Sequence, residues 1–159
     1  MSNDTKSIPA ANVSLAAAFD LIAAAQKAAN ERGFDAAVAI VDTTGSLRAF
    51  ARADKTPFLA GEIAINKAWT AASYGYPTHV WNQVIQDPAV APLSQHPRVT
   101  AVPGGYAIFE NGLLIGGIGV SGGDAEQDQR ACEAALEASP PSIWRVPFFV
   151  VEVVRQTVI

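Results

Sequence analysis

Lys67 stands out among the charged side chains by the company it keeps. The spacing of FLAGEIAINKAWTAASY predicts a helix running from about Pro57 to Tyr74. On it Ala60, Ala64, Lys67, Ala71 and Tyr74 form one stripe, and Glu62, Asn66, Thr70 and Ser73 another. No acid lies three or four positions from Lys67, so a local helical ion pair is closed to it. A lysine so placed either carries its head out to solvent along its own methylenes or faces a pocket. In a pocket, desolvation is the means by which lysines become bases at neutral pH. In that reading Lys67, Glu62 or Asp54 moves a proton, and Arg52 or Lys67 holds a carboxylate. The competing reading has Lys67 paired with Asp54 or Glu126 as a buried ion pair.

Glycine is the other chemical signal. Along the strand-like run from Leu113, residues Ile115, Gly117, Gly119 and Ser121 share one face by alternation. That lane carries almost no side-chain bulk, so a helix, a second backbone or a ligand can come close. Ser121-Gly122-Gly123 then leads into a helix that Asp124 can cap, with Gln127 at the reciprocal capping-box position. Amides there can hold an anion, in competition with Asp124, Glu126 and Asp128. Pro103-Gly104-Gly105 is a second glycine turn. The expected site brings Arg52, Lys67, Gly104, Gly105 and Ser121 to Gly123 together near a subunit boundary. Phe50, Tyr74 and Tyr106 supply its apolar wall.

No metal constellation is visible. His79 and His96 have no recognised ligand spacing, and each reads first as a surface or loop histidine. A single histidine nevertheless suffices to ligate heme iron, which makes these two the candidate heme ligands; Met1, the only methionine, is a poor second ligand. There is no Ser-His-Asp pattern, nucleophile elbow or phosphate loop. Gly116-Gly117-Ile118-Gly119 lacks the spacing and the helix of a dinucleotide fingerprint.

The elements that must position these groups follow from periodicity and punctuation. Residues 1–11 read as a flexible lead. Ser14 or Asn12 caps a helix to about Arg32, with Leu15, Phe19, Ile22, Ala25 and Ala29 on one face and Gly33 after its end. Ala36 to Asp42 is a buried strand, Thr43-Thr44-Gly45 a turn, and Ser46 to Arg52 the return strand of a hairpin, with Arg48, Phe50 and Arg52 on one face. Thr56-Pro57 starts the Lys67 helix, Thr as cap, and Gly75 ends it. A shorter helix or turn opens at Pro77-Thr78 and ends near Gln86. A long proline-rich connection follows, holding at most a short strand at Val99 to Val102. Asn111-Gly112 makes a second hairpin. Beyond Ser139-Pro140-Pro141, residues 142–159 are β-branched and aromatic and read as an arm docked on its own sheet or on a neighbouring subunit.

The chain of 159 residues, half of them apolar and with net charge −4, suits one domain of the α/β class. The mild acidity gives no footprint for nucleic acid or an anionic membrane. Cys132 is the only cysteine and is expected on the buried face of the last helix. No apolar run is long enough to span a bilayer and no secretory signal opens the chain, so a cytoplasmic protein is expected.

Six pieces, in order, resemble the GlcG/HbpS family, the domain often labelled heme-degrading, which also occurs at the C-terminus of PduO-type proteins. They are Val41-Asp42 before Gly45; Phe50-Ala51-Arg52 with Asp54; and Pro57 opening the helix with Ala64-Ile65-x-Lys67-Ala68-x-Thr70-Ala71. Then come Pro103-Gly104-Gly105, Gly116-x-Ile118-Gly119-Val120-Ser121-Gly122, and Glu126-Gln127-Asp128. The resemblance covers roughly Ser14 to Ala138 and implies a profilin-like α-β-α sandwich with a mostly antiparallel sheet, assembled into homo-oligomers. Some members bind heme. The axial ligand is not part of the shared motif, and the N-terminal helix here has no histidine to carry one over. Three readings follow: a binding protein for heme or a related planar ligand, a small enzyme or carrier for an organic acid, and a structural oligomer without ligand.

Overall fold

The structure is a computed structural model and describes residues 4–139; the expected C-terminal arm lies outside the described residues. Four strands, β1 (Ala37–Val41), β2 (Leu47–Arg52), β3 (Gly105–Glu110) and β4 (Leu113–Ser121), form one sheet in the order β2-β1-β4-β3. Every pairing is antiparallel. The helices are α1 (Leu15–Glu31), α2 (Phe58–Tyr74), α3 (Thr78–Val84) and α4 (Ala125–Glu137). α1 and α4 cover one face of the sheet around Val38, Ile40, Ile118 and Val120, while α2 covers the other around Ala37, Ala39 and Val41. The result is the expected α-β-α sandwich. β1 is buried on both faces, which is why its sequence reads as an unbroken apolar run.

Local signals set most boundaries. The Ser14 side chain accepts from the Ala17 amide and starts α1. Gly75, at φ 75°, ends α2 in the left-handed conformation that glycine tolerates best. Asn111 and Gly112 both adopt positive φ, 51° and 79°, as a tight hairpin turn requires. The capping box of α4 is complete: Asp124 accepts from the Gln127 amide at 2.8 Å, and Gln127 Oε1 accepts from the Asp124 amide at 2.9 Å. Asp124→Ala is expected to cost about 1 kcal/mol, read from a shifted urea midpoint at unchanged m-value.

Several expectations are corrected. The buried face of α1 is Ala18, Leu21, Ile22, Ala25, Ala28 and Ala29, and Leu15 and Phe19 are 48% and 56% exposed. Alanines on that face let α1 lie close to Ala131, Cys132 and Ala135 of α4, which turns the larger residues outward. Thr56 does not cap α2. The cap position is Pro57, and the Thr56 hydroxyl is buried without a partner among the described residues. Val99 to Val102 is not a strand; the long connection instead contains a 3-10 turn at Ala91–Gln95. Ile115 does not share a face with Gly117, because a bulge leaves it unpaired between the Ile108–Gly116 and Phe109–Leu114 partners. Its side chain joins the α1/α4 core, and its carbonyl accepts from the Val13 amide at 2.8 Å. Among the described residues no helix is long and apolar enough to cross a membrane.

Candidate functional site

Lys67 is 1% exposed and does not snorkel. Its Nζ donates to the Val120 carbonyl at 2.9 Å and to Asp128 Oδ2 at 2.8 Å. Asp128 belongs to the first turn of α4 and is itself 3% exposed; its Oδ1 accepts from the Gly123 amide at 2.9 Å. The pair links the two helical layers past the end of the sheet, where β3 begins and β4 finishes. Gly104 makes that passage possible. At φ 118° a Cβ there would stand 2.8 Å from the Asp128 Cβ and 3.0 Å from Lys67 Nζ. Burial pushes the Asp128 carboxyl above the ordinary carboxylate range, opposed by the Lys67 charge and hydrogen bond and by the Gly123 amide. The competing reading therefore holds in kind but with another partner: neither Asp54 nor Glu126 pairs with Lys67. Cys132, fully buried nearby, has its thiol pushed up by desolvation, so thiolate chemistry is not available to it.

The bare lane on β4 is filled by protein. A Cβ on Gly119 would collide with the Ala64 carbonyl oxygen, and one on Gly117 with that of Ala68. A Cβ on Gly105 would stand 2.6 Å from the Lys67 carbonyl oxygen. These glycines let α2 lie directly on the sheet; the room that their missing side chains leave is taken by helix backbone.

The remaining expected residues divide into groups. Lys67, Gly104 and Gly123 meet around Asp128, while Gly105 lies against the Lys67 backbone and Thr78, and Ser121 is buried at the end of β4. Arg52 is separate: its Nη1 donates to the Thr56 carbonyl at 3.1 Å. Phe50 is 39% exposed, and its ring covers Gly61 on α2. Asp54 and Glu62 are exposed and make no ion pair among the described residues. Tyr74 is 66% exposed at the end of α2, against Tyr76 and Trp81 rather than near Lys67. Tyr106 lies in the α1/α4 core, where its hydroxyl donates to Glu133 Oε1, which also accepts from Gln129. Gly122 lines a surface cleft of about 360 Å³ together with Asn30, Gly33, Phe34, Asp35, Lys55 and Pro57.

The two histidines differ. His96 is exposed, stacked on Trp69 at 5.3 Å, with its Nδ1 accepting from the Arg98 amide at 3.1 Å. The ring proton therefore sits on Nε2, the nitrogen that a metal would otherwise use. His79 packs at a tilt against Tyr106, and its Nδ1 is buried with no partner among the described residues. Desolvation holds its imidazole below the usual histidine range, opposed by Glu133. No group of three metal-binding side chains occurs among the described residues.

Asp128 was missed although a signal existed. It lies on the buried stripe of α4 with Ala131, Cys132 and Ala135, as Lys67 lies on that of α2. Opposite charges stranded on two apolar stripes are each other's natural partners. Asp35 and Lys55 carried no local signal at all.

Comparison with known proteins supplies the context. Residues 13–137 match the family model described as haem degrading protein HbpS-like. The chain is 35% identical over 133 residues to corrinoid adenosyltransferase PduO of Citrobacter freundii, covering 82% of this chain and 40% of that protein. It thus spans about two fifths of the length of that relative. The crystal structure of Klebsiella pneumoniae protein ORFY superposes with a TM-score of 0.81 at 32% identity, covering 86% of this chain and 96% of that one. The crystal structure of a PduOC:heme complex does so with a TM-score of 0.78 at 32% identity, covering 84% and 97%.

Proposed function

The chain belongs to the HbpS-like family, and from that premise we propose that it binds heme or a closely related planar ligand. The observation that carries this reading is its likeness, along nearly the whole described domain, to the structure solved as a PduOC:heme complex. His79 is the residue whose chemistry fits an iron ligand. Metal ligation needs a neutral imidazole, and burial favours that form at His79. Its packing against Tyr106 limits the ring's freedom. His96 fits less well, because ligation through Nε2 would cost the hydrogen bond from Arg98. Bound heme supplies iron redox chemistry. The part of this chain is to hold the ring, offer the imidazole and keep it neutral. The organic-acid reading loses its anchor at Lys67, whose charge is already met by Asp128.

Hemin titration followed in the Soret region tests this. The wild-type chain is expected to show saturable binding with a shifted band. His79→Ala should weaken it by at least about tenfold, while His96→Ala leaves it nearly unchanged. Melting temperatures of both variants should stay close to wild type. Absence of saturable binding in the wild type removes the proposal; binding unaffected by His79→Ala removes the assigned ligand.

A further inference from the structure

We propose that the cleft beside Gly122 is a binding site for a short carboxylic acid that also bears an ammonium or hydroxyl group. Its 360 Å³ lies at the low end of the roughly 300–1,000 Å³ typical of small-molecule sites. Asn30, Asp35 and Lys55 line it, and none of their side chains has a hydrogen bond or ion pair among the described residues. Several carboxylates elsewhere in the protein are already engaged. Asp128 has Lys67 and Gly123, Glu133 has Tyr106 and Gln129, and Asp42 accepts from Thr44 and Ser46. Asp35 is half-buried and has nothing. A carboxylate and an ammonium that line one cleft without pairing leave both charges available to a ligand of reversed polarity. The ligand's carboxylate goes to Lys55, its ammonium or hydroxyl donates to Asp35, and the Asn30 amide can serve either end. Phe34 and Pro57 add a small apolar surface, enough for a few carbons. A tetrapyrrole finds no match in so polar a lining, so this site stands apart from the heme reading.

The walls are held in place by Asp128 together with four residues that the sequence singled out for direct contact, Arg52, Lys67, Gly122 and Gly123. Gly122 has φ 142°, and a Cβ there would collide with the Asp35 carbonyl oxygen, so the exit of β4 packs straight onto the backbone after α1. The next residue, Gly123, donates its amide to Asp128, which Lys67 anchors. Across the cleft, Arg52 donates to the carbonyl of Thr56, between Lys55 and Pro57. Arg52, Lys67 and Asp128 are positioning residues here. They do not line the cleft; each fixes a loop that does.

Isothermal titration with L-serine and L-lactate is the test, with butyrate (no donor group) and ethanolamine (no carboxylate) as controls. Saturable binding of serine or lactate is expected, with both controls clearly weaker. Asp35→Asn and Lys55→Met should each weaken it about tenfold or more, the value of one charge-assisted hydrogen bond, at unchanged melting temperature. Arg52→Met should weaken it too, with partial rescue by Arg52→Lys. The site is overturned if neither acid binds saturably, if a control binds equally well, or if Asp35→Asn and Lys55→Met leave affinity intact. Unchanged affinity in Arg52→Met overturns the positioning role.

Discussion

Lys67→Met is expected to lose about 3–5 kcal/mol of folding stability, a large effect for a polar substitution. The reason is the partner left behind. Asp128 is 3% exposed, and without the ammonium it keeps only the Gly123 amide, while the Val120 carbonyl loses its donor. Two further results distinguish this from simple loss of packing. Replacing both members, Lys67→Met with Asp128→Leu, should recover much of the loss, because the uncompensated charge has gone. The deficit of the single variant should also depend on pH. Burial already raises the Asp128 pKa, and Lys67 opposes that rise; its removal raises the folded-state pKa further. A carboxyl whose folded pKa lies above its unfolded one binds a proton more readily when folded, so stability increases as pH falls through that window. The deficit should be largest near neutral pH and shrink on acidification towards the unfolded carboxylate value. Urea melts at several pH values read this directly. A Lys67→Met protein as stable as wild type at neutral pH would contradict the buried pair.

Gly119→Ala is expected to cost about 3 kcal/mol, at the upper end for overpacking, or to prevent accumulation of soluble protein. A methyl group there would collide with the Ala64 carbonyl oxygen and stand 2.7 Å from the Ala68 amide nitrogen. Both obstacles are helix backbone, which cannot rotate aside as a side chain can. Relief requires α2 to lift from β4, opening the core of Ala37, Ala39, Val41, Ala64 and Ala68. Gly112→Ala is the control. Gly112 has φ 79° and open space where a Cβ would stand, so it should cost only about 1 kcal/mol of backbone strain. Equal stability of the two variants by chemical denaturation would contradict the close approach of α2 to the sheet.

The architecture was largely legible because its signals are local. The unbroken apolar run of β1, the alternation in β2, the Asn111-Gly112 turn, the Asp124/Gln127 box and Gly75 after α2 each act within a few residues. Where the sequence misled, the deciding contact came from elsewhere in the chain. Alanine-to-alanine packing with α4 chose which face of α1 is buried, and the bulge at Ile115 reset the parity of β4.

The site followed the same division. By itself the sequence determined that Lys67 sits among apolar neighbours without a local acid, that β4 carries a lane free of side chains, and that glycine turns precede β3 and follow β4. Only the tertiary structure decided what meets them: Asp128, 61 positions away, for Lys67, and the backbone of α2 for the glycines. It also decided that Asp35 and Lys55, unremarkable in sequence, line one cleft without pairing. Helical and strand periods report which face a residue occupies, because that depends on the backbone over a few bonds. Which group stands opposite that face depends on how the layers stack, and no spacing along the chain encodes it.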